Sequence, residues 1–233
     1  MTVPVCEVPR GMYVTGTDTG VGKTVASVAL IQRLRAAGLR VVGMKPVASG
    51  CERTPEGWRN DDALQLQAAS DPRPAYGDVN PYALELATAP QLAARAMGVR
   101  VDILRLNDVY ARLAAQADAV VVEGVGGWAA PLDDGLDQVD LARTLDLPVL
   151  LVVGLRLGCL NHARLTARAI ETDGVRLIGW IGNCVAPAFA ERDDYVELLR
   201  DALPAPCFGV LPYAESPDAA AMASSLSLPP GFP

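Results

Sequence analysis

The 233-residue chain has a single histidine, His162. One imidazole cannot build a multi-histidine metal site, and it argues against a triad in which a histidine activates a nucleophile. Lysine is nearly as scarce: 18 of the 20 basic residues are Arg, and the two lysines are Lys23 and Lys45. The five cysteines (Cys6, Cys51, Cys159, Cys184 and Cys207) are odd in number and never fall in a CxxC pair. They are read as reduced packing residues of a cytoplasmic protein, with no disulfide frame and no zinc site. There is no basic block, and the net charge is −7. That balance is wrong for binding nucleic acid through its phosphates. No stretch reaches the ~18 uninterrupted apolar residues of a membrane span. The opening MTVPVCEVPRG lacks the basic start and apolar run of a secretory leader, and residues 1–10 are expected to be poorly ordered.

Hydrophobic residues make up 51% of the chain, enough to fill a sizeable core. Met12-Tyr13-Val14-Thr15 reads as a short buried strand, residues 16–23 as a Gly/Thr turn, and residues 24–37 as a helix stopped by Gly38. Val41-Val42-Gly43-Met44 is a second strand. Residues 46–60 read as loop, and Asp61 or Asp62 as the cap of a helix running to about Ser70. The proline-bearing stretch 71–90 reads as a long ordered loop, and residues 91–117 as one short and one longer helix. Ala119-Val120-Val121-Val122 is an unbroken apolar run, the kind buried on both faces of a parallel sheet. Strands at 148–153, 177–181 and 208–211 alternate with helices at 160–172 and 191–203. With no repeat and no linker, the alternation predicts a single α/β domain over residues 1–233. Its sheet is mostly parallel, with helices on both faces. Ligands of such sheets bind at the carboxyl ends of the strands.

The first strand ends in Thr15-Gly16-Thr17-Asp18-Thr19-Gly20-Val21-Gly22-Lys23-Thr24. Gly22-Lys23-Thr24 opening a helix is the working end of a P-loop. Its backbone N–H groups hold phosphate, Lys23 reaches the β and γ phosphates, and Thr24 ligates Mg²⁺. The usual pattern wants Gly at position 17, whereas Thr17 stands there and Gly16 comes one residue earlier. Glu123 ends the apolar strand and precedes Gly124-Val125-Gly126-Gly127, the place of an acid that reaches Mg²⁺. Asp62 fits either a metal role or a helix cap. Lys45 follows the second strand, where it can face the γ-phosphate from the side opposite Lys23. Two ammonium groups would stabilise both the phosphoryl and an anionic acceptor. Asn161, at a helix start, suits a substrate carboxylate, and His162 is read as a surface residue.

These motifs, with Lys45-Pro46-Val47-Ala48-Ser49-Gly50, Asn60 with Asp62-Ala63-Leu64, Val122-Glu123-Gly124, Gly126-Gly127-Trp128, Leu157-Gly158-Cys159 with Asn161-His162-Ala163, and Gly179-Trp180 with Asn183, resemble the dethiobiotin synthetase family. The matches keep their order from about residue 11 to 218, and the extended phosphate loop is the form this family uses. The resemblance implies a P-loop NTPase-like fold and a homodimer. The implied reaction turns 7,8-diaminononanoate, CO₂ and MgATP into dethiobiotin, ADP and phosphate, through a carbamate and a carbamic–phosphoric anhydride. It also implies roles. Gly20, Val21, Gly22, Lys23, Thr24 and Val25 would wrap the phosphates, and Thr24, Asp62 and Glu123 would hold Mg²⁺. Lys23 and Lys45 would be catalytic, with Lys45 on the carbamate and the γ-phosphate. Thr19 and Ser49 would touch the substrate, while Glu123, Gly124, Val125 and Gly126 would line both substrates. Asn183, Pro212, Tyr213 and Asp218 would surround the adenine, with Cys184 standing where an acid or polar residue is expected. Asn161 and Tyr195 would bind the substrate carboxylate across the dimer interface.

The alternative is a partition- or switch-type P-loop ATPase acting through a protein partner. Its common form carries an extra lysine early in the loop, and Gly16-Thr17-Asp18 has none. An amide-forming synthetase of the cobyrinate type would need a glutaminase domain with its own histidine, for which neither length nor composition leaves room.

Overall fold

The structure, a computed structural model, describes residues 11–229 and 231–232. The expectation for residues 1–10 lies outside the described residues. The chain opens with β1 (Gly11–Gly16), α1 (Lys23–Ala36), β2 (Val41–Met44) and β3 (Val47–Ser49). Next come β4 (Glu52–Thr54), β5 (Gly57–Arg59), α2 (Asp61–Ala69), α3 (Tyr76–Val79), β6 (Tyr82–Leu84), α4 (Pro90–Ala96) and α5 (Ile103–Ala114). After these run β7 (Ala119–Gly127), β8 (Pro131–Asp133), β9 (Leu136–Asp137), α6 (Gln138–Thr144) and β10 (Val149–Leu155). The chain then continues through α7 (Cys159–Thr172), β11 (Leu177–Cys184), α8 (Arg192–Ala202), β12 (Cys207–Leu211) and α9 (Ala219–Ser224).

Among the described residues the main sheet has six strands in the order β12-β11-β10-β1-β7-β2, and every pairing in it is parallel. Alternation along each strand fills both faces. Met12 and Val14 of β1 join Val121, Leu150 and Val152 beneath α1 and α9. Tyr13 joins Val120, Val122 and Val149 on the other face, against α5 and α6. A third cluster packs Leu151, Val153 and Trp180 against α7 and α8. The fold is thus α/β with helices on both faces, as the sequence predicts. β1 lies between β10 and β7, where successive connections run to opposite sides of the sheet. That switch point opens a crevice at the carboxyl ends, and the Gly-rich turn after β1 lies in it.

Four local expectations are corrected. Residues 46–60 are not simply loop: β3 pairs in parallel with β6, and β4 with β5 forms a hairpin. The stretch 71–90 likewise contains α3 and β6. The cap of α2 is neither Asp61 nor Asp62. The side chain of Asn60 accepts the N–H of Ala63 at 3.2 Å, which leaves the Asp62 carboxylate free for other partners. α1 begins at Lys23, one residue earlier than expected, because Gly22 adopts a left-handed conformation and serves as its cap.

Candidate functional site

Both lysines are buried, and their tips end on one four-residue stretch. Lys23 Nζ donates to the carbonyl of Gly126 at 2.7 Å and to that of Asp18 at 3.1 Å. Lys45 Nζ donates to Glu123 Oε1 at 2.6 Å, to Asp62 Oδ2 at 3.0 Å and to the Gly124 carbonyl at 3.3 Å. The Thr24 hydroxyl donates to the same Glu123 oxygen at 3.0 Å. Strand ends explain the convergence. Lys45 follows β2, Glu123 lies on β7, and the phosphate loop follows β1, in three adjacent strands.

The electrostatics follow from burial and charge. Burial pulls the Lys23 ammonium down to about 8, aided by the charge of Lys45. Burial also pulls on Lys45, but Glu123 and Asp62 outweigh it and leave its pKa above the ordinary lysine value. Asp62 is pushed upward by burial, yet the Lys45 charge prevails and holds it below the usual carboxylate range. Cys51, close by, is inert as a thiol, since burial raises it to about 11.

The backbone beneath Lys45 is pinned by residues of the stretch 71–90. Lys45 N–H donates to Val79 at 2.7 Å, and buried Asn80 donates its amide to the Lys45 carbonyl at 2.7 Å. Asn80 in turn accepts from Tyr76 Oη at 3.1 Å, which itself accepts the N–H of Asn60. The α2 cap and the Lys45 anchor are therefore one network.

Opposite Glu123 the β7 ladder breaks. Val14 pairs with Glu123 but Gly16 pairs with Gly127, so extra residues bulge from β7. Gln138, the first residue of α6 and wholly buried, fills the gap with its side-chain amide. It accepts from Val125 N and from Tyr13 Oη, each at 2.8 Å, and donates to the carbonyls of Val125 and Gly127. A Cβ on Gly124 would lie 2.0 Å from Gln138 Oε1, so only glycine fits there. Burial and the Glu123 charge push the Tyr13 phenol well above its ordinary range, so it stays a donor.

The carboxylate oxygen Glu123 Oε2 is buried without a hydrogen-bond partner among the described residues. With the Thr24 hydroxyl and Asp62 it forms an all-oxygen donor set, the chemistry that Mg²⁺ requires. No group of three or more metal-binding acids, cysteines or histidines occurs among the described residues. The remaining ligands of such a cation would therefore come from water and phosphate.

The other predicted residues fall into two further groups. Gly20, Val25, Asn183, Cys184, Pro212 and Tyr213 line one cavity of about 180 Å³ beside the phosphate loop. Asn183 is buried and donates to Val21 O at 3.0 Å. A Cβ on Gly22, where φ is +84°, would come within 2.0 Å of Asn183 Nδ2. Asp218 caps α9 through the N–H of Ala221 at 2.7 Å, and thereby holds the helix that carries Met222 into this cavity. Thr19 is exposed at the loop crest, facing Gly126, and Ser49 ends β3 half-buried. Asn161 and Tyr195 stand away from the lysines, on α7 and α8; Asn161 is exposed and Tyr195 packs edge-on against Phe189. His162 is exposed on α7. Sequence reasoning missed Tyr13, Asn80 and Gln138. A single sequence holds no signal that a helix-opening glutamine turns inward.

No helix among the described residues is long and apolar enough to cross a membrane. A family model described as an AAA domain matches residues 10–221. Among solved structures, a ParA family ATPase from Chlorobium tepidum superposes with a TM-score of 0.57 at 15% identity, covering 94% of this chain and 90% of that one. The MinD cell division protein of Aquifex aeolicus gives 0.53 at 19%, covering 92% and 87%. These likenesses establish the P-loop NTPase-like fold alone. Sequence relatives are far closer. The ATP-dependent dethiobiotin synthetase BioD of Xanthomonas oryzae pv. oryzae (strain PXO99A) is 58% identical over 221 residues, covering 95% of this chain and 99% of the relative. That of Xylella fastidiosa (strain 9a5c) is 59% identical over 201 residues, covering 86% and 89%. With identity of this depth over nearly the whole chain, and with the paired lysines set against Glu123, the protein belongs to the dethiobiotin synthetase family.

Proposed function

We propose that the protein is a cytoplasmic, homodimeric ATP-dependent dethiobiotin synthetase, its residues 1–233 forming one synthetase domain. It carboxylates and cyclises 7,8-diaminononanoate with CO₂, releasing ADP and phosphate. The convergence of Lys23 and Lys45 on residues 123–126 carries this reading.

An alkyl carbamate is already an anionic nucleophile, so the reaction needs no histidine base. It needs two anions held in contact, the carbamate and the terminal phosphoryl. Lys45 sits where its ammonium can face both, exchanging carboxylate partners for substrate oxygens while the Gly124 carbonyl still aims it. Lys23 turns its remaining N–H to the β and γ oxygens while the Gly126 carbonyl still aims it. A carbamate oxygen then attacks the γ-phosphorus, the bond to the bridging oxygen breaks, and ADP departs. The second amine attacks the carbonyl carbon of the mixed anhydride, loses a proton, and expels phosphate as the ring closes. Thr24, Asp62 and Glu123 would hold Mg²⁺, which when bound offsets the charge of the phosphate chain. Gly20, Val21, Gly22 and Val25 wrap that chain with backbone. Thr19 and Ser49 face the diamine, while Gly124, Val125 and Gly126 lie between the two substrates. Asn183, Pro212 and Tyr213 surround the adenine, with Asp218 steadying that wall. Asn161 and Tyr195 of the opposing subunit receive the substrate carboxylate.

The test is phosphate release from MgATP. It is expected only with both the diamine and bicarbonate present, in one-to-one ratio with dethiobiotin. Equal turnover without the diamine would instead indicate a switch-type ATPase that acts through a protein partner.

A further inference from the structure

The amide of Gln138 replaces a missing strand. In the β7 bulge, the N–H and carbonyl of Val125 have no partner on β1, since the register passes directly from Val14 with Glu123 to Gly16 with Gly127. A side-chain amide carries the same donor and acceptor as a peptide group. Gln138 presents its oxygen to Val125 N and its NH₂ to the carbonyls of Val125 and Gly127. One backbone donor and two backbone acceptors fix which end of the amide is oxygen. Tyr13 Oη then completes the set by donating to that oxygen. The phenol is itself held edge-on by Trp128, with ring centroids 6.3 Å apart, and the Trp128 indole N–H is tied to Asp173 at 2.7 Å. None of these side chains reaches the two lysines. What they hold does: the bulge carries the Gly124 carbonyl that accepts from Lys45 and the Gly126 carbonyl that accepts from Lys23.

We propose that Gln138, locked by Tyr13, is a positioning residue for phosphoryl transfer: it sets the path of residues 124–126, and with it the aim of both ammonium groups. The inference rests on the synthetase reading. If the bulge drifts, the lysines drift with it, and water competes with carbamate for the γ-phosphoryl. ATP is then hydrolysed to ADP and phosphate without a ring being closed.

The experiment compares wild type, Gln138→Leu and Tyr13→Phe in phosphate release, dethiobiotin formation, thermal melting and amide exchange. Wild type comes first, since absence of product there defeats the synthetase reading alone. In that event exchange at residues 124–127 still tests the clamp, and rates unchanged in Gln138→Leu overturn it. With an active wild type, Gln138→Leu is expected to melt cooperatively and keep its KM for ATP within about 3-fold. Its kcat should fall ~10- to 10²-fold, the scale of a small misplacement of reacting groups. Its phosphate-to-product ratio should rise above one, which a loss of folded protein alone would not cause. Tyr13→Phe, which removes one hydroxyl, should move both readings the same way by roughly 3-fold. If Gln138→Leu does not fold, Tyr13→Phe decides. A strict one-to-one ratio with wild-type kcat, or a fall in kcat matching only the loss of folded enzyme, overturns the proposal.

Discussion

The two ends of the proposed nucleotide crevice, a phosphate end and a base end, are built differently. At the phosphate end, Lys23, Lys45 and Glu123 are buried, and both ammonium groups already hold protein partners. At the base end, the cavity wall includes Pro212 and Tyr213 on an exposed loop, and buried Asn183 is the main fixed polar group. Buried charges held in place stabilise a developing charge without reorganising when the reaction occurs. An exposed loop can settle around a flat ring but aims nothing at it. The phosphate end is therefore expected to set the rate, and the base end to contribute modest affinity.

The strongest test of that contrast is Lys45→Arg. Lys45 is almost wholly buried and contacts two carboxylates and a carbonyl at once. A planar guanidinium keeps the charge but not the compact shape. Turnover should fall at least ~10²-fold, the usual cost of one oriented electrostatic donor, with ATP affinity much less affected. Near-normal kcat in a steady-state assay would show that charge at the strand end suffices, and the contrast would lose its basis. Removing the buried counter-charge instead, as in Glu123→Ala, would leave Lys45 with only the partly exposed Asp62 carboxylate, and loss of a buried partner costs up to about 3–5 kcal/mol of stability. Lys45→Arg is the cleaner probe for that reason.

The sequence reveals the phosphate end better than the base end, for a physical reason. A P-loop must place a strand, a glycine turn and a helix start in immediate succession, so its parts are contiguous in Gly16 through Thr24. Glu123 and Lys45 are legible because each ends an apolar run. Asp62 stays ambiguous until the structure shows Asn60 capping the helix. The supports of the site are illegible. Gln138 serves a gap in a strand thirteen residues earlier, and Asn80 reaches Lys45 across thirty-five residues of chain. Such partners are set by tertiary register, which no local pattern encodes. The hairpin within 46–60 is illegible because strands of three residues are too short to display alternation.

The phosphate end also predicts a proton. In the free protein burial draws the Lys23 ammonium down to about 8, against an ordinary value of 10.5. Because folding lowers it, the charged form costs stability at neutral pH, and that cost disappears as pH climbs from 8 towards 10.5. Phosphate oxygens favour the ammonium, so ATP should draw a proton onto Lys23 wherever it is partly neutral. Calorimetry at about pH 8.5, in two buffers of different ionisation enthalpy, should show net proton uptake on ATP binding. Lys23→Met should abolish it. Identical heats in both buffers for wild type would mean that Lys23 stays charged in the free site.

At the base end the expected effects are smallest. Tyr213 is 39% exposed, lies on the loop after β12, and forms one wall of the cavity near Pro212 and Met222. Its ring can stack on a base but is not fixed there. Removing a partly exposed aromatic contact should weaken ATP binding by about 1 kcal/mol, a little over 5-fold in Kd. Tyr213→Ala should leave kcat at saturating ATP within about 2-fold, since that contact is the same before and during phosphoryl transfer. An equilibrium titration of ATP beside a saturation curve separates the two. A kcat loss comparable with that of Lys45→Arg would mean that the base end aims the phosphates as firmly as the lysines do. The crevice would then have to be treated as one rigid site, with its wall on the loop after β12 as much a part of the chemistry as the bulge in β7.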